Sequence, residues 1–320
     1  MAEGRAELVG LSHELMMNLA ASTAGVDRPL GTRHETMRLY AYLMVFIQGA
    51  TLAHHTGDHD AKRAEVRAAL EAWDHEFLAP SIARRRALID QVEAGTLDEA
   101  ELPRDVLTTL LLHDGELHLP PEVVRREIAF FLLAGAHTSA TAFVRTLHHV
   151  FAMADHRPED LERARTDLTF LQRCVHETVR LQPSSPVAMR WALADVELPD
   201  GTTIPEGARL TIDLMAANRD PAAFGPDADA FDPHRVLPGG VAPWGLSFGL
   251  GMHACIGQDL AAGVDPLGHE VDEDHLFGLV PVAVRAVLDA GGRPDPAEPP
   301  ALDPESSRGY WGRYPVVFPP

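Results

Sequence analysis

The stretch from Glu122 to about Met153 most constrains the fold, because it predicts one long helix whose centre has no polar side. Pro120 and Pro121 precede it, and proline is favoured in the first turn of a helix. The segment 128–136 is apolar all round, so this part of the helix should be buried. Such a helix is long for a globular protein, and the remaining chain has to pack around it.

Apolar residues at helical spacing predict further helices on both sides of the long one. These segments are 7–24, 36–52, 60–91, 102–112, 161–181 and 275–290, with a short helix starting near 256. Two short strands, 187–198 and 202–214, are predicted around a turn at 199–201. The expected fold class is therefore mainly α with a small β-rich part (α+β), not an alternation of strand and helix.

Charge and cysteine content exclude several classes of protein. There are 27 Lys plus Arg and 47 Asp plus Glu residues, which gives a net charge of −20. An acidic surface repels nucleic acid and anionic membranes, so neither is expected as a partner. The apolar stretch Leu39–Ala53 is too short to span a bilayer, and residues 1–10 lack the apolar core of a signal peptide. Two cysteines make no disulfide scaffold, which favours a cytoplasmic protein.

The segment Phe248–Ala261 carries the strongest chemical signal, because three glycines surround Cys255 and a helix is predicted just after it. Glycine lets the backbone approach a flat ligand closely. A helix N-terminus stabilises a thiolate, which is a nucleophile or a metal ligand. The alternative for a lone cysteine is a buried structural residue.

The pattern Phe-x-x-Gly-x-His-x-Cys-x-Gly-x-x-Leu-Ala in this segment resembles the haem-ligand loop of the cytochrome P450 family. The resemblance implies that Cys255 binds the iron of haem b (iron protoporphyrin IX). It also implies that Phe248, Gly249 and Gly257 contact this cofactor and that His253 binds a haem propionate.

Glu177 and Arg180 are three residues apart, so they share one face of the predicted helix. A surface ion pair is the usual result of this spacing. The resemblance implies instead a buried structural pair, joined by Arg235 from the segment 231–235, that braces the haem-ligand loop. Charges can be buried in this way only if they satisfy one another.

The segment Ala134–Ser139, in the middle of the long helix, resembles the family's oxygen-activation motif. It implies that Ala134 and Gly135 lie beside the haem and that Thr138 and His137 handle protons in catalysis. His137 stands where the family usually has Asp or Glu, and imidazole can also relay protons near neutral pH. A stripe of small residues for helix packing is the alternative for the motif. A contact to an acidic substrate, or a steric role, is the alternative for His137.

The strand predicted from Val187 completes the expected site. By resemblance, Arg190 binds the other propionate, while a surface arginine is the alternative. Val187 and Ala188 are expected to line the substrate pocket together with Ala136.

The resemblance, which covers about 7–318, implies a single cytochrome P450-like domain over 1–320 that lacks the family's N-terminal part. Its expected parts are helical (1–182), rich in strands and loops (183–251), and formed by the haem-ligand loop, following helices and a C-terminal strand (252–320). The expected reaction inserts one oxygen atom from O2 into a small organic compound, with NAD(P)H electrons delivered by a ferredoxin and its reductase. The protein is expected to be monomeric. A peroxide-driven peroxygenase and a non-catalytic haem-binding fragment are the alternatives.

The segment His54–Asp60 is a cluster of possible metal ligands. Histidine and carboxylate side chains suit zinc or iron. A polar loop between two helices is the favoured interpretation, because short motif matches are often false.

Overall fold

The computed structural model describes residues 4–52, 55–266, 271–306 and 308–319. Its elements confirm a mainly helical fold with small sheets. The helices are α1 (Leu8–Ala24), α2 (Arg33–Ala50), α3 (His59–Trp73), α4 (Ala79–Glu93), α5 (Val106–Leu112), α6 (Asp114–Leu117), α7 (Pro121–His156), α8 (Pro158–Thr166), α9 (Leu168–Leu181), α10 (Leu214–Ala217), α11 (Pro221–Phe224), α12 (Gln258–Ala262) and α13 (Leu279–Asp289).

The strands are short and pair only in antiparallel fashion in the described part of the chain. They are β1 (Arg5–Glu7), β2 (Val187–Trp191), β3 (Val196–Glu197), β4 (Thr203–Ile204), β5 (Arg209–Asp213), β6 (Arg293–Pro294), β7 (Ala301–Leu302), β8 (Trp311–Arg313) and β9 (Pro315–Val317). One sheet has the order β1-β9-β6, and the other pairs are β2-β5, β3-β4 and β7-β8.

The long helix predicted from the sequence is confirmed as α7, which has 36 residues. Two predicted helices are interrupted. A π-helical turn, Asp74–Leu78, separates α3 from α4. Asp167 separates α8 from α9, because its side chain accepts a hydrogen bond from the backbone N–H of Phe170 and so starts a new helix. The sequence also missed β1, where the chain pairs with β9 before α1 begins.

The chain forms two compact units, residues 10–140 and residues 1–9 with 141–320. This division does not follow the predicted parts 1–182, 183–251 and 252–320. The single domain inferred from the sequence stays a prediction.

In the unit 10–140, the core includes the buried side chains of Trp73 and Leu132. This unit also buries a charge. The Arg85 guanidinium lies 2.7 Å from Asp105 Oδ2 and 3.0 Å from Asp27 Oδ2, so both neighbouring carboxylates satisfy it.

In the unit of residues 1–9 and 141–320, α9 is the most buried helix after its first turn, with eleven buried residues. It packs against α8, α12 and α13. Its strong apolar face carries Phe170, Leu171 and Val175, which are fully buried. Because α9 is held on several sides, the polar side chains near its C-terminus have fixed positions from which to organise the loops that follow.

By length and composition alone, α7 could also cross a membrane, and half of its most apolar window is buried inside the protein. The prediction from the sequence tested only Leu39–Ala53 as a membrane span and therefore overlooked α7. A buried core helix passes the same test, as its apolar centre predicts.

Candidate functional site

The cysteine loop is closed by its own backbone. The N–H of Cys255 donates to Phe248 O at 2.7 Å, and a short 3₁₀ turn, Gly251–His253, lies between them. Gly249 has a φ of +70°, and a Cβ there would lie 3.3 Å from His253 O. Glycine at this position therefore allows the tight turn that presents Cys255.

Cys255 itself is exposed and has a free thiol, so it is not the buried structural residue that was the alternative for a lone cysteine. α12 begins three residues later, at Gln258. A Cβ at Gly257 would lie 4.0 Å from Cys255 Sγ, an ordinary contact distance. The buried structural role applies instead to the second cysteine, Cys174, whose thiol pKa is raised far above its usual range by burial.

A buried ion cluster joins Glu177, Arg180 and Arg235. Arg180 Nε donates to Glu177 Oε2 at 2.6 Å and Nη2 donates to Oε1 at 2.7 Å. Arg235 Nε approaches the same carboxylate at 3.3 Å. The side chains of Arg180 and Glu177 are 0% and 5% exposed, so the predicted buried pair forms instead of a surface pair.

The backbone completes the hydrogen bonding of Arg180. Nη1 donates to the carbonyls of Asn218 and Ala228 at 2.6 and 2.8 Å, and Nη2 also donates to Ala230 O at 3.3 Å. With the two bonds to Glu177, every N–H of the guanidinium has an acceptor. A buried charge satisfied in this way fixes the loop 218–230 on α9.

Asn218 is a residue of this cluster that sequence reasoning missed. It is fully buried, and its Nδ2 donates to Arg180 O at 2.9 Å and to Ser247 Oγ at 2.8 Å. Its Oδ1 accepts from Leu246 N at 2.7 Å. Asn218 therefore connects the ion cluster to the residues that lead into the Cys255 loop. The only signal was the segment 216–221, which resembles bacterial members of the family.

The expected propionate ligands are both exposed. Arg190 lies on β2, and its Nη1 donates to Met189 O at 2.8 Å. His253 lies in the 3₁₀ turn of the cysteine loop. Val187 and Ala188, the expected pocket residues, precede Arg190 on the same strand and are exposed and half-buried, respectively.

On α7, the expected catalytic and cofactor-contacting residues divide between two environments. Ala134, Gly135 and Thr138 are exposed, and Thr138 Oγ1 donates to Ala134 O at 2.6 Å. Ala136 is buried in the core of the unit 10–140, so it does not share their exposed face. Its role in a substrate pocket stays a prediction.

His137 is half-buried and belongs to a group of aromatic rings that the sequence did not predict. The ring of His13 lies 6.0 Å from that of His137 and 4.7 Å from that of Tyr40, in stacked orientation. Burial raises the pKa of Tyr40 to about 12, so its hydroxyl stays protonated at neutral pH.

The metal cluster considered at His54–Asp60 is only partly visible, since His54 lies outside the described residues. Nε2 of His59 lies 2.8 Å from His55 O. Among residues 4–52, 55–266, 271–306 and 308–319, no group of three or more His, Cys, Asp or Glu side chains could hold a metal ion.

The family model described as "Cytochrome P450" matches residues 65–262, which is more than half of the chain. The chain belongs to the cytochrome P450 family. Human cytochrome P450 4F12 is 30% identical over 237 residues, 63% of this chain and 43% of that protein. Human cytochrome P450 4F3 is 28% identical over 269 residues, 75% of this chain and 48% of that protein. The chain thus spans less than half the length of these curated relatives.

Solved P450 structures show the same fold. CalO2 superposes with a TM-score of 0.71 at 20% identity, covering 99% of this chain and 68% of CalO2. CYP154A1 from Streptomyces coelicolor A3(2) gives 0.68 at 24% identity, covering 100% and 68%. HmtT, described as involved in himastatin biosynthesis, gives 0.69 at 23%, covering 99% and 70%. The P450 fold inferred from the sequence is confirmed.

The donor set fits the haem that the P450 family implies. In this family a cysteine thiolate binds the haem iron, and Cys255, which is free and exposed, would supply that sulfur. An exposed guanidinium and an exposed imidazole, those of Arg190 and His253, suit the carboxylates of a porphyrin. These three groups all belong to the unit of residues 1–9 and 141–320.

Proposed function

We propose that this P450 chain is a haem-thiolate monooxygenase in which Cys255 would bind the iron of haem b. One observation carries the proposal: the exposed thiol sits in a closed loop that Asn218 ties to a fully satisfied buried ion cluster. A purely structural cysteine has no need of exposure or of such support. Glu177, Arg180 and Arg235 act through the loop and do not touch the reacting atoms.

The bound haem would supply the redox chemistry that activates O2, with electron donation from the thiolate. Arg190 and His253 would bind its propionates, and Phe248, Gly249 and Gly257 would shape the backbone that faces it. Thr138 is suited to position a proton donor by accepting a hydrogen bond at Oγ1, because this hydroxyl is exposed and its own proton is directed at Ala134 O.

His137 is proposed to relay protons, because the two nitrogens of an imidazole can accept a proton on one side and donate one on the other. The ring of His13 beside it restricts its orientation. His137 would therefore take the part that a carboxylate usually plays in the family.

The proposed substrate is a small organic compound of the kind that bacteria use in natural-product synthesis. The similarity to HmtT, described as involved in himastatin biosynthesis, supports this class. The proposed electron source is NAD(P)H through a ferredoxin and its reductase, in the cytoplasm. Val187 and Ala188 are proposed to contact the substrate, with Ala134 and Ala136.

The test is the ferrous–CO absorption band of a thiolate-ligated haem in the reconstituted protein. Wild type and Cys174→Ala should show the band, and Cys255→Ala should lose it. Both substitutions replace a cysteine by alanine, one in the buried core and the other in the loop. Cys174→Ala is therefore the matched control for Cys255→Ala. Persistence of the band in Cys255→Ala would refute the ligand assignment.

A second assay separates the catalytic alternatives. Substrate oxidation that needs NAD(P)H, ferredoxin and reductase supports the monooxygenase. Equal turnover with hydrogen peroxide alone would identify a peroxygenase instead. A normal CO band without turnover under either condition, over a panel of small organic compounds, would identify a non-catalytic haem binder.

A further inference from the structure

The segment 244–262 carries Cys255 and contacts α9 at both of its ends. One side chain, that of His176, makes both contacts. His176 is 2% exposed, so the packing of α9 fixes its position inside the protein. A buried side chain that contacts both ends of a segment also fixes the distance between those ends.

At the first end of the segment, three aromatic rings lead from α9 to the cysteine. The ring of His176 lies 5.0 Å from that of Trp244, at an interplanar angle of 80°. The ring of Trp244 lies 5.7 Å from that of Phe248, at 78°. Edge-to-face rings attract one another beyond the area that they bury. Phe248 O accepts the N–H of Cys255, so these contacts end at the residue that closes the cysteine loop.

At the other end, His176 binds the last residue of α12. Its Nε2 lies 2.9 Å from Ala262 O inside the protein. A carbonyl oxygen only accepts hydrogen bonds, so Nε2 carries a proton and donates it. The bond satisfies one of the carbonyls that have no partner within a helix at its C-terminus. Because α12 begins three residues after Cys255, this bond fixes the direction in which the chain leaves the cysteine.

Gln172, one turn earlier on α9, holds the same end of α12. Its Nε2 donates to Ala262 O at 3.2 Å and to Val264 O at 2.8 Å. Its Oε1 lies 3.2 Å from Nε2 of His275. Gly263 has a φ of +81°, and a Cβ there would collide with Gln172 Nε2. The absence of a side chain at this position therefore lets the amide reach the end of α12.

We propose that His176 is a positioning residue for Cys255, because it holds the segment 244–262 at both ends and so fixes the place of the thiol. It acts through Trp244 and Ala262 and is not a catalytic residue. The inference rests on the proposed function, since a fixed thiol matters to the haem that it would bind.

Two substitutions of His176 separate its two contacts. His176→Phe keeps a flat ring against Trp244 but has no donor for Ala262 O. His176→Gln keeps a donor for Ala262 O but has no ring. Thr178→Val is the matched control, because Thr178 is also buried on α9 and its Oγ1 donates to Cys174 O within the same helix.

The first readout is hydrogen exchange of the Cys255 amide in the purified full chain, measured by NMR. This amide is protected in wild type because it donates to Phe248 O at 2.7 Å. His176→Phe and His176→Gln should each speed its exchange about fivefold relative to the amides of α13, because each loses one contact. The α13 amides report opening of the whole unit, so the ratio isolates the cysteine loop. Thr178→Val should leave the ratio unchanged.

A second amide distinguishes the two contacts. Gly263 N donates to Asp259 O at 2.9 Å and closes the last turn of α12. His176→Phe should speed exchange of this amide about fivefold, whereas His176→Gln should not change it. Unchanged exchange at Cys255 in both variants, or an equal change in Thr178→Val, would overturn the proposal.

The ferrous–CO band of the same chains, reconstituted with haem, separates this inference from the proposed function. During urea titration, wild type and Thr178→Val should lose the thiolate band and the circular dichroism signal together. Both His176 variants should lose the band at lower urea than the circular dichroism signal. A wild type without the band would overturn the proposed function, whatever the exchange rates are. A wild type with the band, together with coincident curves in both His176 variants, would overturn the positioning role alone.

Discussion

Arg180→Met tests most directly how the P450 chain supports its cysteine loop. Methionine keeps an unbranched apolar stem but removes all the donors of the guanidinium. The carboxylate of Glu177 then stays buried with two weaker partners, Arg235 Nε at 3.3 Å and Asp232 N at 3.0 Å. The substitution therefore leaves a buried charge that is only partly satisfied.

The size of the effect follows from these contacts. Removing one partner of a buried ion pair costs about 3–5 kcal/mol, and the two remaining partners of Glu177 favour the lower end. The carbonyls of Asn218 and Ala228 lose their guanidinium donor, and each unsatisfied carbonyl adds about 1–3 kcal/mol. Water that reaches part of the site reduces this sum. We expect a loss of about 4–6 kcal/mol, a large part of the stability of a typical protein.

The assay is urea unfolding monitored by circular dichroism. At a slope of about 3 kcal/mol per molar urea, the midpoint should fall by roughly 1–2 M. Arg285→Met is the matched control, because Arg285 lies on α13 in the same unit and pairs with Asp289 at 2.8 Å at a partly exposed site. Such a pair contributes below about 1 kcal/mol.

Equal midpoint shifts for Arg180→Met and Arg285→Met would refute the reasoning, since burial would then have no effect on the value of the ion pair. Arg180→Lys should fall between wild type and Arg180→Met. Lysine keeps the charge but cannot bond Glu177 through two parallel N–H groups.

Two further predictions concern the same unit. Gly245→Ala should lower the free energy of unfolding, measured in urea, by about 3 kcal/mol or more, because φ is +59° and the new Cβ would lie within 2.5 Å of Asn218 Oδ1. Gly240→Ala is the control: its φ is +85°, its new Cβ would meet open space, and its free energy of unfolding should fall by only about 1 kcal/mol. Burial lowers the pKa of His176 from its ordinary value of 6.5 to about 4. The unfolded chain therefore takes up this proton at higher pH than the folded chain, so stability is full above pH 6.5 and falls by roughly 3 kcal/mol towards pH 4. Urea midpoints measured across this range should be flatter in His176→Gln, and an unchanged profile would contradict the assignment.

The sequence predicted those features of the fold and the site that depend on the local pattern of residues. The apolar period and the leading prolines identified α7, and the spacing of Glu177 and Arg180 placed them on one face of α9. The family resemblance added Arg235, whose contact with Glu177 spans 58 positions. Residue spacing alone carries no information on a contact at that separation.

The features that were missed have tertiary causes. Asn218 is one amide in a proline-rich loop, and its role comes only from the carbonyl of Arg180 and the hydroxyl of Ser247 that fold around it. The division of one predicted helix at Asp167 depends on a capping bond, although apolar spacing continues across it.

The hydrogen bonds that satisfy every N–H group of the Arg180 guanidinium also set an order of events during synthesis of the chain. Its carbonyl acceptors follow it by 38 to 50 positions, so they leave the ribosome after α9 does. Until then, water must hydrate the guanidinium and α9 cannot bury that face. This loop has to close before the ion cluster can be desolvated, so the contacts of Arg180 must overcome the entropy of closing a loop of 38 to 50 residues. Presentation of the Cys255 thiol therefore depends on this closure, and a chain that ends before the segment 218–230 leaves the Arg180 guanidinium without its carbonyl acceptors.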